Sequence, residues 1–144
     1  DNIILSALVY HRWKDREIRA KLEYSYPKME YNFFSLKLNE LGELLRKSET
    51  TLVKCLAAEL GLGGSYSEEV CLVSKADKNI NPPKLGEGEI KTIFKTINNL
   101  IKQKVKPLIV YKDNEVKDIV PFGLELYKEL EKKEFDMYNG AFDY

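Results

Sequence analysis

The sequence predicts an α+β fold: an N-terminal strand segment, a middle of four helices, and a C-terminal β-hairpin followed by a short helix. Three observations carry this reading. Apolar and β-branched runs at residues 2–10 and 108–120 have strand character. Between them, apolar residues recur at helical spacing in four segments. Three glycines, Gly61, Gly63 and Gly64, fall within four residues between two of those segments. Only glycine takes positive φ without strain, so they read as a tight double turn, too short to be a linker. The chain is expected to divide into residues 1–34 (the end of a sheet and its connection), residues 35–105 (the helical part) and residues 106–144 (hairpin, strand region and the start of a helix).

In chain order, Asn2 to Tyr10 reads as strand. A locally basic stretch with Arg12, Lys14, Arg16, Arg19 and Lys21 around Trp13 follows. Tyr24 to Phe34 is aromatic, contains Pro27, and reads as an extended connection over the core. Ser35 to Lys47 reads as a helix capped by Ser35, with Leu38, Leu41, Leu44 and Leu45 on one face. Gly42 falls inside it and weakens the pattern or permits close packing. Ser48 is expected to cap the next helix, Glu49 to Glu59, in which Leu52, Val53 and Leu56 lead to Leu60 and the glycines. Ser65 and Glu68 then have the spacing of a capping box, with Tyr66, Val70 and Val73 as an apolar stripe and an end near Ser74. Asp77 to Pro83 is a loop. Gly88 to Lys104 is the longest helix, with Ile90, Ile93, Phe94, Ile97, Leu100 and Ile101 as its apolar stripe. Leu108–Tyr111 and Val116–Val120 form a hairpin, and Phe122 to Tyr127 is expected to prolong the sheet. Glu129 to Asp136 is charged, and Phe135 to Tyr144 begins a helix.

With 23 Lys and Arg against 23 Asp and Glu, the formal net charge is zero, so the chain is not a bulk electrostatic binder of nucleic acid. Any such contact is local. Lys91, Lys95, Asn99 and Lys102 share one face of the longest helix, and no acidic residue follows Glu89 within it. Such a face either tracks a phosphate backbone or is simply a solvated surface. Arg12, Lys14, Arg16 and Arg19 beside Trp13 suit RNA backbone and base stacking, or form a solvated edge strand. The glycine turn, with Ser65 at the following helix start, either approaches a phosphate or packs two helices and touches nothing. Glu68 and Glu69 weigh against the phosphate. No apolar run reaches membrane-span length, and no signal peptide is visible. Cys55 and Cys71 lack metal-knuckle spacing and read as buried thiols of a reducing compartment, with a disulfide as the alternative. One histidine, His11, assembles no catalytic constellation, so no enzyme activity, metal, cofactor or small-molecule substrate is expected.

Residues 61–72, Gly-Leu-Gly-Gly-Ser-Tyr-Ser-Glu-Glu-Val-Cys-Leu, resemble the helix-two-turns-helix of the Fpg/MutM DNA glycosylases. They are more similar still to the corresponding segment of the NFACT proteins, the RqcH/NEMF family of ribosome-associated quality control, once described as fibronectin-binding protein A homologues. Trp13 to Arg16, Arg19, Tyr24 to Pro27, and the pattern Phe135, Asn139, Ala141, Asp143 extend the likeness along nearly the whole chain. The glycosylases carry a phosphate-holding asparagine where this chain has Gly64, which argues against DNA binding of that kind.

The resemblance implies a cytoplasmic protein that binds the large ribosomal subunit and tRNA, typically for alanine, and supports alanine tailing of the nascent chain. It places residues 1–34 at the end of a glycosylase-like sheet and makes residues 35–105 helix-hairpin-helix-like. It implies that this chain is a fragment whose residue 144 leads towards a coiled coil. The family's hairpin is longer than residues 2–10 allow, so either the loop is short here or residues are lacking between Leu5 and Ala7. The family's tRNA-contacting Asp-Arg motif lies in an earlier strand, and Asp15-Arg16 is not that motif. The alternative is a non-catalytic interaction scaffold that orients neighbouring domains.

Overall fold

The computed structural model describes residues 2–13, 16–26 and 30–143. Lys14 and Pro27 lie outside these. The fold is α+β and forms two compact units, Asp1–Glu30 and Tyr31–Tyr144.

In the first unit, β1 (His11–Arg12) pairs antiparallel with β2 (Glu17–Ile18). Strand character within residues 2–10 is confined to their beginning. Ile3 bridges Glu23, Ile4 N donates to Leu22 O, and Tyr24 N donates to Asn2 O. Leu5, Leu8 and Val9 stand exposed. β-propensity records fit to a half-buried pleated surface. Among the described residues no strand runs beside residues 5–10, so their composition alone does not make one.

The second unit holds the four expected helices. α1 (Leu38–Lys47) starts three residues later than Ser35 suggests. Ser35 N closes a turn onto Asn32 O, and the first free donor, Lys37 N, is taken by Glu40 Oε2 at 2.8 Å. α2 (Leu52–Lys54) runs directly into one wide turn of π-helix (Cys55–Glu59). Ser48 does not cap it. Its hydroxyl is buried and donates to Glu59 Oε1 at 2.8 Å, holding the two ends of the segment together. The orphan donors of α2, Leu52 N and Val53 N, are instead taken by the carbonyls of Ile80 and Lys78. α3 (Gly64–Ser74) ends where Lys75 turns left-handed at φ 58°. α4 (Glu87–Ile101) buries Ile90, Ile93, Ile97 and Leu100. It stops at Lys102, so Lys104 lies beyond the helix.

β3 (Leu108–Lys112) and β4 (Glu115–Val120) form the expected hairpin. Its two-residue turn, Asp113 and Asn114, has positive φ at both positions (54° and 64°), the mirror-image geometry that matches strand twist. Phe122 to Tyr127 does not continue the sheet. It ends in a 3-10 turn, Glu125–Tyr127, and the third strand is β5 (Glu131–Glu134), on the other side of β3. α5 (Tyr138–Phe142) packs against β3. Leu108 and Val110 point from β3 into the helical core, which also takes in Leu56, Val70 and Ile93. Each such aliphatic side chain contributes roughly 1.5–3 kcal/mol on burial.

The 3-10 turn has a specific cause. Glu69 of α3 is buried, 3% exposed, and its two carboxylate oxygens accept the backbone N–H groups of Glu125 at 3.0 Å and Leu126 at 2.8 Å. A charged acceptor satisfying two donors at a turn start replaces the water that burial removed. Converting Glu69 to Gln presents an amide N–H₂ to at least one donor. We expect that variant to lose about 2–3 kcal/mol, read from the midpoint of urea unfolding; an unchanged midpoint would show that the bracket is dispensable.

Cys55 and Cys71 are free and buried, as expected for core thiols. Burial pushes each thiol from 9.0 up to about 11, with Glu59 adding to the rise at Cys55 and Glu68 at Cys71. Above pH 9 the unfolded chain gives up these protons while the folded chain retains them. Their contribution is therefore complete below pH 9 and lost as pH rises through about 11. Replacing both with Ala should flatten the fall in urea midpoint between pH 8.5 and pH 10.5. A slope equal to that of the native chain would show that other groups govern it.

Candidate nucleic-acid interface

The glycine turn has the form its composition demands. Gly61 sits at φ 83° and Gly63 at φ 78°. Leu60 N donates to Cys55 O, Leu62 N to Leu56 O and Gly63 N to Ala57 O, so the chain folds back on the last turn of the preceding helix. Leu62 is buried, as is Leu56, the usual apolar accompaniment of this ending. Gly63 is also the residue from which α3 springs. Gly64 differs from both. Its φ is ordinary, and a Cβ there would meet nothing within 4 Å.

No acidic residue stands in the first turn of α3 itself, and the carboxylate that meets it comes from the hairpin. Ser65 does not form the expected capping box with Glu68. The Ser65 hydroxyl donates to Asp118 Oδ2 at 3.0 Å, and the Tyr127 hydroxyl donates to the same oxygen at 2.7 Å. Asp118 Oδ1 accepts Ile119 N at 2.9 Å. Burial first, then the bond to Asp118, pushes the Tyr127 phenol upward. Glu68 pairs with Lys78 at 2.8 Å. Thus Asp118 on the hairpin supplies the negative charge that the start of α3 favours, and Ser65 is spent inside the unit.

The lysine face is open. Lys91, Lys95 and Lys102 lie within about 40° of one another around the α4 axis and span roughly 16 Å along it. All three are exposed, and none has a carboxylate within ion-pair distance among the described residues. The hydroxyls of Thr92 and Thr96 turn back to the carbonyls of Gly88 and Thr92, leaving the lysines and Asn99 as the outward groups. The Lys102 end of α4 lies by the elbow, where Leu62 and Tyr66 share an apolar groove with Leu100 and Ile101. The Lys91 end borders α1.

In the first unit, Arg12 is exposed on β1, and Arg16 is half-buried with its guanidinium 4.5 Å from the Trp13 ring centroid. His11 lies against the same ring at 4.2 Å. Arg19 is 3.6 Å from Glu17. Lys14 is outside the described residues. Tryptophan and arginine are thus engaged with one another, a stacking pair with one face already used.

Sequence reasoning took Glu69 only as a carboxylate opposing phosphate and missed its backbone partners, and it missed Asp118 and Tyr127 altogether. The available signal was a carboxylate at position 69, three residues after Tyr66 and beside Val70 on the expected apolar stripe. A charge there asks for buried donors. Val73, placed on that stripe, is instead 47% exposed.

Fold and surface together define a helical module with a clamped hairpin and an open row of lysines. Over residues 1–144 the chain matches the family described as NFACT N-terminal and middle domains. It is 34% identical over 152 aligned positions, covering 99% of this chain, to the archaeal Rqc2 homolog aRqcH of Methanocaldococcus jannaschii. The chain belongs to the NFACT family of ribosome quality control factors. It spans 22% of that relative's length.

The elbow yields a direct stability test. A β-branched residue resists positive φ, so Gly63→Val should lower unfolding free energy by roughly 1–2 kcal/mol. Gly64→Ala, at an ordinary φ with open space, should leave it within about 0.5 kcal/mol. Equal effects at both positions, measured by urea titration, would contradict the difference in backbone demand.

Proposed function

We propose that this chain is an RNA-contacting module of a cytoplasmic ribosome quality control factor that binds the large ribosomal subunit and tRNA and supports alanine tailing of stalled nascent chains. Residues 35–105 would present the RNA-facing surface, with residues 1–34 and 106–144 flanking them in sequence. The observation that carries this reading is the unpaired, exposed row of Lys91, Lys95 and Lys102 on a helix fixed by four buried apolar residues. Family membership and the relative described as an Rqc2 homolog support the ribosomal setting. The elbow's part is to fix the direction of α3 and hence of α4 packed on it. Gly61, Gly63, Gly64 and Ser65 would then border the Lys102 end of the RNA path. Arg12, Lys14, Arg16 and Arg19 would supply a second, separate contact.

A specific observation favours the scaffold reading for one part. Asp118 accepts the Ser65 hydroxyl at the start of α3, so a protein carboxylate already occupies that helix start. The glycine turn is then a packing elbow, and binding falls to the lysines.

The test is affinity of the full-length protein for tRNA and for large ribosomal subunits over a salt series. The Lys91→Ala, Lys95→Ala, Lys102→Ala triple variant should bind more weakly at low salt. The slope of log affinity against log salt should shrink by roughly two to three. Binding and slope unchanged by the triple substitution would remove the lysine face from the mechanism.

A further inference from the structure

A second charged site, with two cations and two carboxylates, lies at the Lys91 end of α4, away from the elbow. A groove of about 490 Å³ runs between α1 and α4, with Leu38 and Ile90 at its apolar floor and Gly42, Arg46, Glu87 and Lys91 on its walls. Asn39 and Glu43 complete it.

Gly42 explains how the groove is built. It lies inside α1, is buried, and has no positive φ, so the backbone does not require glycine. The three atoms nearest a Cβ at this position all belong to Arg46, with Nη1 at 3.2 Å, Cζ at 3.7 Å and Nη2 at 3.8 Å. The guanidinium therefore lies folded back along its own helix, flat over the bare backbone one turn earlier. Among the described residues it has no carboxylate within ion-pair distance, and neither has Lys91. A glycine that weakens a helix holds an unpaired guanidinium on the wall of a groove whose other cation is the first lysine of the α4 row.

We propose that this groove takes one ribonucleotide of the RNA backbone, with Arg46 and Lys91 on its phosphate. This rests on the RNA reading of the lysine row and extends it from α4 onto α1. The fixed fork of a guanidinium matches two phosphate oxygens, whereas Lys91 supplies a point charge. Glu43 and Glu87 fit the same ligand. Each is an acceptor without an ion-pair partner among the described residues, suited to a ribose 2′-hydroxyl and offering nothing to a deoxyribose.

The experiment uses the full-length protein, a fluorescent tRNA transcript and a DNA of the same sequence, with anisotropy followed from 50 to 300 mM salt. Arg46→Gln should weaken tRNA binding roughly tenfold and reduce the salt slope by about one. Gly42→Ala should raise the melting temperature by roughly 2–5 °C yet weaken tRNA binding about threefold, because the new methyl displaces the guanidinium. That opposite movement of stability and affinity separates a binding role from a structural one. The DNA should bind more weakly than the RNA, and Glu43→Gln with Glu87→Gln should narrow the gap. Wild-type affinity in Arg46→Gln, with the α4 triple variant still impaired, overturns the groove proposal and leaves the lysine row standing. Equal affinity for DNA and RNA overturns it also. If the unsubstituted protein binds no tRNA, the RNA reading and this inference fall together.

Discussion

Two backbone torsions set the rest of the second unit. With Gly61 and Gly63 held at positive φ, the chain leaves the π turn and starts α3 after only residues 60–63. The helix directions on either side of the elbow are then fixed by covalent geometry. α4 packs on α3, and α1 packs on α4, so the outward side of the longest helix follows from a turn of a few residues. Side chains with a Cβ reach this geometry only with strain. The open space around both glycines shows that the demand comes from the torsions, with no crowding involved.

The second constraint is electrostatic. Carboxylates serve the interior and the helix ends in this unit: Glu69 on two backbone donors, Asp118 on two hydroxyls and an amide, Glu59 on Ser48 and Thr50, and Glu40 and Glu89 on the first free amides of α1 and α4. The lysines of α4, by contrast, have no carboxylate within ion-pair distance among the described residues. A chain with zero formal net charge thereby presents a cationic row without any excess of basic residues.

What was legible in the sequence was local. The glycine elbow, the apolar side of α4 and the Asp113-Asn114 turn each declare themselves within a few residues, because φ and helical spacing are local quantities. The lysine row was equally visible as spacing. What was hidden depended on distant partners. Ser65 reads as a cap until Asp118, 53 residues on, claims its hydroxyl. Residues 131–134, Glu-Lys-Lys-Glu, have no strand composition, and only the free edge of β3 makes them β5. Residues 122–127 look extended until Glu69 winds their end into a 3-10 turn. Gly42 and Arg46 stand four apart, a spacing that anyone can count, but the guanidinium lying on bare backbone is a fact of coordinates.

The bracket made by Glu69 has a consequence for biosynthesis. Its partners lie 56 and 57 residues downstream. During translation α3 emerges with a carboxylate whose donors have not been made, for roughly three to eleven seconds at ordinary elongation rates. Until residue 126 arrives, that side of α3 stays wet, and the helices can only associate loosely. Docking of the hairpin is then the late, cooperative event that dries the interior, so premature truncation anywhere before residue 126 leaves a nascent helical pair without its seal.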